Sequence, residues 1–173
     1  QNSVIERFLE LVSAPYLHKE MLWIVLPLVI GLIIMQLYFG RHKKEELGWN
    51  TAVGNSLALI FVSVDLIRQI FTNTSGSVVE IFFGELGRVV VVVVLAFTSI
   101  WLLFGEFFHF LPKKFAFIIS SSIPTSLVAY LAITLIYTNT PTDFITLLAA
   151  LLLLVVLIIV FKIIHFLEPI SLK

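Results

Sequence analysis

The chain has 173 residues, 60% of them hydrophobic and only 13% charged, with a mean hydropathy of +1.08. Soluble domains carry about a quarter charged residues, so this composition belongs to a lipid bilayer. Eleven basic side chains balance 11 acidic ones, which argues against a nucleic-acid partner, and the lack of cysteine excludes disulfides, thiolate metal sites and cysteine nucleophiles.

Residues 3–13 read as an amphipathic helix rather than a signal peptide. Val4, Ile5, Phe8, Leu9 and Val12 form an apolar stripe, with Glu6, Arg7 and Glu10 opposite. Ser3 and Glu6 have capping-box spacing, and Pro15 is expected to stop the run. A helix of this kind is expected to lie flat in the membrane interface or to dock on a partner. The first span follows at about 21–39, with Trp23 and Tyr38 at aromatic-belt positions. Its Pro27 and Gly31 predict a kink or close approach of a neighbouring backbone.

The second span, 50–72, is the most polar. On a helical wheel Thr51, Gly54, Ala58, Phe61, Asp65, Arg68 and Gln69 share one side, with Ser56 and Ser63 on the other. Charged groups are costly in hydrocarbon, so the Asp65 side is expected to turn toward protein or trapped water. A third helix starts after a second capping box, Ser77 with Glu80, and is read as one span over 78–104. At about 40 Å it exceeds the hydrocarbon core and is expected to tilt or protrude.

The fourth span, 115–137, contains Ser120, Ser121, Ser122, Pro124, Thr125 and Ser126. Pro124 removes a backbone hydrogen bond and the hydroxyls satisfy what it frees, predicting a kink or an unwound segment. The fifth span, 143–165, has no polar side chain between Leu147 and Phe161 and reads as a lipid-facing wall. The fold class is therefore all-α: a single transmembrane domain over 1–173, five spans and an interfacial helix. Basic residues set the orientation. Arg41, Lys43, Lys44, Lys113, Lys114, Lys162 and Lys173 fall on one face, against Arg7, Lys19 and Arg88 on the other. This bias predicts an integral protein of the cell membrane, with the N-terminus outside and the C-terminus cytoplasmic. The Asn73-Thr74-Ser75 sequon would face outward, too near the membrane for glycosylation.

Three constellations are candidates for chemistry. If the second and third spans form an antiparallel hairpin, Asp65 comes opposite Glu85, with Arg68 and Arg88 a turn away. Gln69 lies alongside and Asn55 deeper in. Such a cluster serves either as a carboxylate tuned for ions or protons, or as a neutral network that fixes helix register. The hydroxyl-rich break formed by Ser121, Ser122, Pro124 and Thr125 matches the broken helices that bind substrates in transporters, although small residues also simply permit close packing. No base lies in that span to activate a serine. Finally, Glu106 with His109 and His165 with Glu168 each set a carboxylate and an imidazole on one helical face, as di-iron bundles do. A complete site needs two further carboxylates, and interfacial residues are the default reading.

Phosphate-loop, dinucleotide, zinc-protease and EF-hand motifs are all absent, so neither a cofactor nor a bound metal is expected. The expected function is an oligomeric channel or transporter that moves ions or protons along the polar cluster. The alternative is a non-catalytic subunit or scaffold of a larger membrane complex. A membrane-embedded enzyme ranks third. The expected partners are the lipid bilayer and either further copies of the chain or other membrane subunits.

Overall fold

A computed structural model describes residues 3–42, 47–73 and 76–167, and among these every regular element is helical. The helices are α1 (Val4–Leu17), α2 (Leu22–Arg41), α3 (Trp49–Asn73), α4 (Val78–Gly84), α5 (Leu86–Phe107), α6 (Lys113–Ile119), α7 (Ser122–Thr138) and α8 (Phe144–Leu167). A single 3-10 turn, Lys19–Met21, leads into α2. Four helical stretches are each long and apolar enough to cross a membrane: the turn with α2, then α3, α5 and α8. A fifth candidate is the pair α6 and α7, which meet at 45°.

Local chemistry accounts for most of the helix ends. Both capping boxes form, Ser3 with Glu6 and Ser77 with Glu80, each satisfying two backbone N–H groups at a helix start. Pro15 does not stop α1, which continues to Leu17. The buried side of α1 consists of Arg7, Leu11 and Ala14, packed on α7 and α8, whereas Ile5, Leu9 and Val12 point outward. Arg7, expected on the polar face, therefore lies inside. It pairs with Glu10 at 2.8 Å and reaches Asp143 at 3.9 Å. In α2, Pro27 is accommodated within an uninterrupted helix. Gly31 is exposed with nothing within 4 Å of where a Cβ would sit, so no backbone approaches it.

Two expected spans are interrupted, for different reasons. The third breaks at Glu85, flanked by Gly84 and Gly87, two poor helix formers, so α4 and α5 replace one long helix. The fourth breaks at Ser120–Ser121, upstream of the proline. Pro124 is the third residue of α7, where its missing N–H would have had no helical partner, so it helps to start a helix rather than to bend one. Nor is α8 purely a lipid-facing wall. Ala149, Ala150, Leu153 and Phe161 are buried, while Leu151, Val155 and Ile159 are exposed.

The core runs along α3, α5 and α7, with Met21 and Val25 closing one side. The most extensive contact is α3 on α5, an antiparallel pair. Its α3 seam is Ala52, Ser56, Leu59, Ser63, Leu66 and Ile70, alternating steps of four and three residues. The facing stripe of α5 includes Val92, Leu95, Ser99, Leu102 and Glu106 with the same alternation. The face of α3 that packs inward is thus the Ser56–Ser63 side, not the Asp65 side. Serine, alanine and leucine allow close approach along a helix; the charged pair does not.

Candidate functional site

The interior holds one carboxyl that forms no ion pair among the described residues, that of Glu106. It lies in the penultimate position of α5 and has no exposed surface (0%). Its two oxygens are each met by a hydroxyl. Ser56 of α3 donates to Oε2 at 2.7 Å, and Ser120, at the end of α6, donates to Oε1. An unpaired carboxylate in such surroundings is costly, and the two serine hydroxyls are what the structure offers it in compensation.

The break between α6 and α7 builds the other wall. The last carbonyls of α6 lose their helical partners there, and side chains replace them one by one. The Ser121 hydroxyl donates to Ile118 O at 2.9 Å, and the Thr125 hydroxyl makes a long 3.5 Å contact with Ile119 O. Asn55 of α3 donates to Ser120 O at 2.6 Å. The backbone N–H of Thr125 closes the set on Ser121 O at 3.1 Å. Ser122 adds a buried hydroxyl with no hydrogen-bond partner among the described residues. Below the site, the chain after α5 folds back on itself. Leu111 covers Gly105, and the Trp49 ring lies against His109 at 4.3 Å, tilted by 35°, and meets Phe117 edge-on at 5.0 Å. His109 takes a left-handed backbone conformation, φ 56°, in this turn.

The expected four-charge cluster separates into two pairs. Asp65 bonds Arg68 at 2.7 Å, and Glu85 bonds Arg88 at 3.1 Å; no ion pair joins the two among the described residues. Each pair reaches α7 instead. Tyr137 donates to Asp65 Oδ2 at 3.1 Å, and Arg88 donates to the carbonyl of Ile136. The helix break explains this: α7, set at an angle to α6, presents its last turn to both helices. Gln69 is half-buried, one turn beyond Asp65. Asp65 is largely shielded at 24% side-chain exposure, while Arg68 is 67% exposed.

The expected carboxylate–imidazole pairs do not assemble. Glu106 bonds serines, His109 packs against the Trp49 ring, and the ring of His165 lies 2.8 Å from Gln36 O. Glu168, Lys43, Lys44 and Lys173, and with Thr74 and Ser75 most of the sequon, lie outside the described residues. Among the described residues no cluster of three or more potential metal ligands occurs.

Sequence reading names Glu106 only in a metal-like spacing and Ser56 only as lying off the polar side. The signal that finds them is the seam alternation itself: Glu106 continues the stripe of Ser99 and Leu102, directly across from Ser56. No protein-family model matches the chain, and neither a curated protein nor a solved structure shows significant similarity to it.

Proposed function

We propose that this chain is a small transporter or channel of the cell membrane, acting as an oligomer and moving protons or small monovalent cations. The observation that carries the reading is Glu106: a carboxyl with no exposed surface, held by Ser56 and Ser120 at the junction of a broken helix. Broken helices are tolerated inside a membrane where protein or a polar cavity covers the break, many transporters place their sites at such breaks, and an acid there exchanges its bound cation as the site opens to either side.

In this reading α6 and α7 together form the fourth of five spans, and α1 lies in the outer interface. The N-terminus is outside. Arg41, Lys113 and Lys114 then fall on the cytoplasmic side, so Glu106 sits in the inner part of the bilayer. Asp65, Arg68, Glu85 and Arg88 belong to the outer end, where they fix α7 and shape the exit.

The test is flux into proteoliposomes containing a pH-reporting dye, driven by a potassium diffusion potential, with a sodium-flux arm in parallel. The intact protein acidifies or loads the vesicles above the rate of empty liposomes, and Glu106→Gln lowers that rate at least tenfold. Flux equal to that of empty vesicles in both arms, or an unchanged rate in Glu106→Gln, overturns the reading.

A further inference from the structure

Helix α3 carries a second seam. Gly54, Ala58, Phe61, Asp65, Arg68 and Thr72 repeat the four-and-three alternation of the buried seam, displaced by two positions, which is about 200° around the helix. The first seam is filled by α5; Asp65 touches α7 at the edge of the second, but most of the second faces out of the molecule. Phe61 is 65% exposed, and the space beside Gly54 is open.

This outer face differs from those of α2 and α8. Theirs present large aliphatic side chains such as Ile33, Ile34, Leu151 and Val155, which suit lipid tails. The outer seam of α3 instead sets two residues without bulk beside an acid and a base. Small residues alone would say only that space is available; the charges say what fills it. Arg68 spends Nε and one Nη2 proton on a single oxygen, Asp65 Oδ1, so three of its five N–H groups make no hydrogen bond among the described residues. At the outer end of the span water and lipid headgroups accept from such N–H groups, and so does a carboxylate of a second chain.

We propose that this seam is the interface with a second copy of the chain, paired about a twofold axis along the membrane normal. Such an axis sets the two α3 helices parallel, so residues of adjacent layers meet across it. Asp65 of one copy then lies one layer from Arg68 of the other, and the same surface supplies both signs. Gly54 and Ala58 let the backbones approach closely enough for that exchange. The pairing is independent of what the Glu106 site carries.

The chain contains no cysteine, so one introduced cysteine forms no cross-link within a copy and reports only contacts with other chains. Ala58→Cys, oxidised in native membranes of expressing cells, gives a band of doubled mass, whereas Ile33→Cys on α2 and Val155→Cys on α8 stay single. Equal behaviour of all three overturns the proposal, as does cross-linking of Ala58→Cys solely to a different protein. Charge pairing is read with two variants, Asp65→Arg and Arg68→Asp, differently tagged. Each puts like charges in the seam and self-associates at least tenfold less than the intact chain, while the mixture forms heterodimers. No preference for the mixture overturns the pairing. Gly54 is exposed and a Cβ there meets nothing within 4 Å, so Gly54→Leu is expected to keep its helicity by circular dichroism while its mass in nanodiscs falls from dimer to monomer. A dimer that survives Gly54→Leu contradicts the interface.

Discussion

Ser56 Oγ lies 2.7 Å from Glu106 Oε2, across the seam where α3 and α5 are in closest contact. One heptad along the same helix, Ser63 is equally buried, but its hydroxyl turns back to Leu59 O at 2.8 Å. The two serines therefore separate a bond that serves the site from one that only satisfies itself.

Ser56→Ala is expected to destabilise the bundle by about 0.6–1.7 kcal/mol, from the average to the largest value that double-mutant cycles give for hydrogen bonds between membrane helices. Ser63→Ala removes only a local bond to a carbonyl that already has a helical partner and stays within about 0.5 kcal/mol of the parent. Reversible unfolding in mixed micelles checks the pair. Equal losses would mean that Glu106 gains nothing from Ser56.

Gly105 supplies a second contrast. A Cβ there would meet Leu111 Cγ and Cδ1 at 2.7 Å, in the turn that folds back beneath Glu106. Gly105→Ala should cost about 1–3 kcal/mol through overpacking, despite the better helix propensity of alanine. Adding Leu111→Ala should recover part of that loss. A double-mutant cycle by the same unfolding assay gives the coupling, and strict additivity would show that Leu111 does not cover Gly105.

Acid sensitivity is expected where α1 meets α8. The backbone N–H of Thr146 donates to Asp143 Oδ1 at 2.8 Å, and this bond, then the Thr146 side chain, then nearby Arg7, hold the Asp143 carboxyl below its usual range. A carboxyl lowered on folding stabilises the folded state above its unfolded value, about 3.9, and that contribution fades as the pH falls through it toward the folded value. An asparagine side chain in its place would still cap the helix but would not titrate in this range. The protection factors of amides 144–147, which remove the intrinsic slowing of exchange in acid, should therefore fall on acidification from pH 5 to about 3 in the parent, and much less in Asp143→Asn. Parallel profiles would contradict this role for Asp143.

Much of the bundle is legible because hydrocarbon imposes a simple rule, and long apolar runs such as 144–161 obey it with little help from tertiary context. Both capping boxes are readable for a similar reason, since Ser3 with Glu6 and Ser77 with Glu80 act within one turn. The inward face of α3 is not. Asp65 and Arg68 dominate any polarity wheel, but they answer each other three residues apart and leave packing to smaller side chains. Glu106 escapes a local reading because it sits near the end of its own span; what buries it is α6, a separate segment whose break at Ser120 no local pattern fixes. Pro124 points to a break in this region, but the break occurs for another reason, the exchange of backbone partners for Asn55, Ser121 and Thr125.

The final turn of α7 is riveted on two sides, through the Tyr137 phenol to one neighbour and through the Ile136 carbonyl to another. Its opposite extremity rests on a two-turn stub whose grip is a handful of hydroxyls and a single amide. The end of α7 is thus tied to two other spans, whereas the bonds at its start mostly close within the break itself, with Asn55, among the described residues, the one tie from α3 to its backbone. Under the proposed function, a displacement of α7 is therefore expected at its start, beside Glu106, rather than at its arginine end.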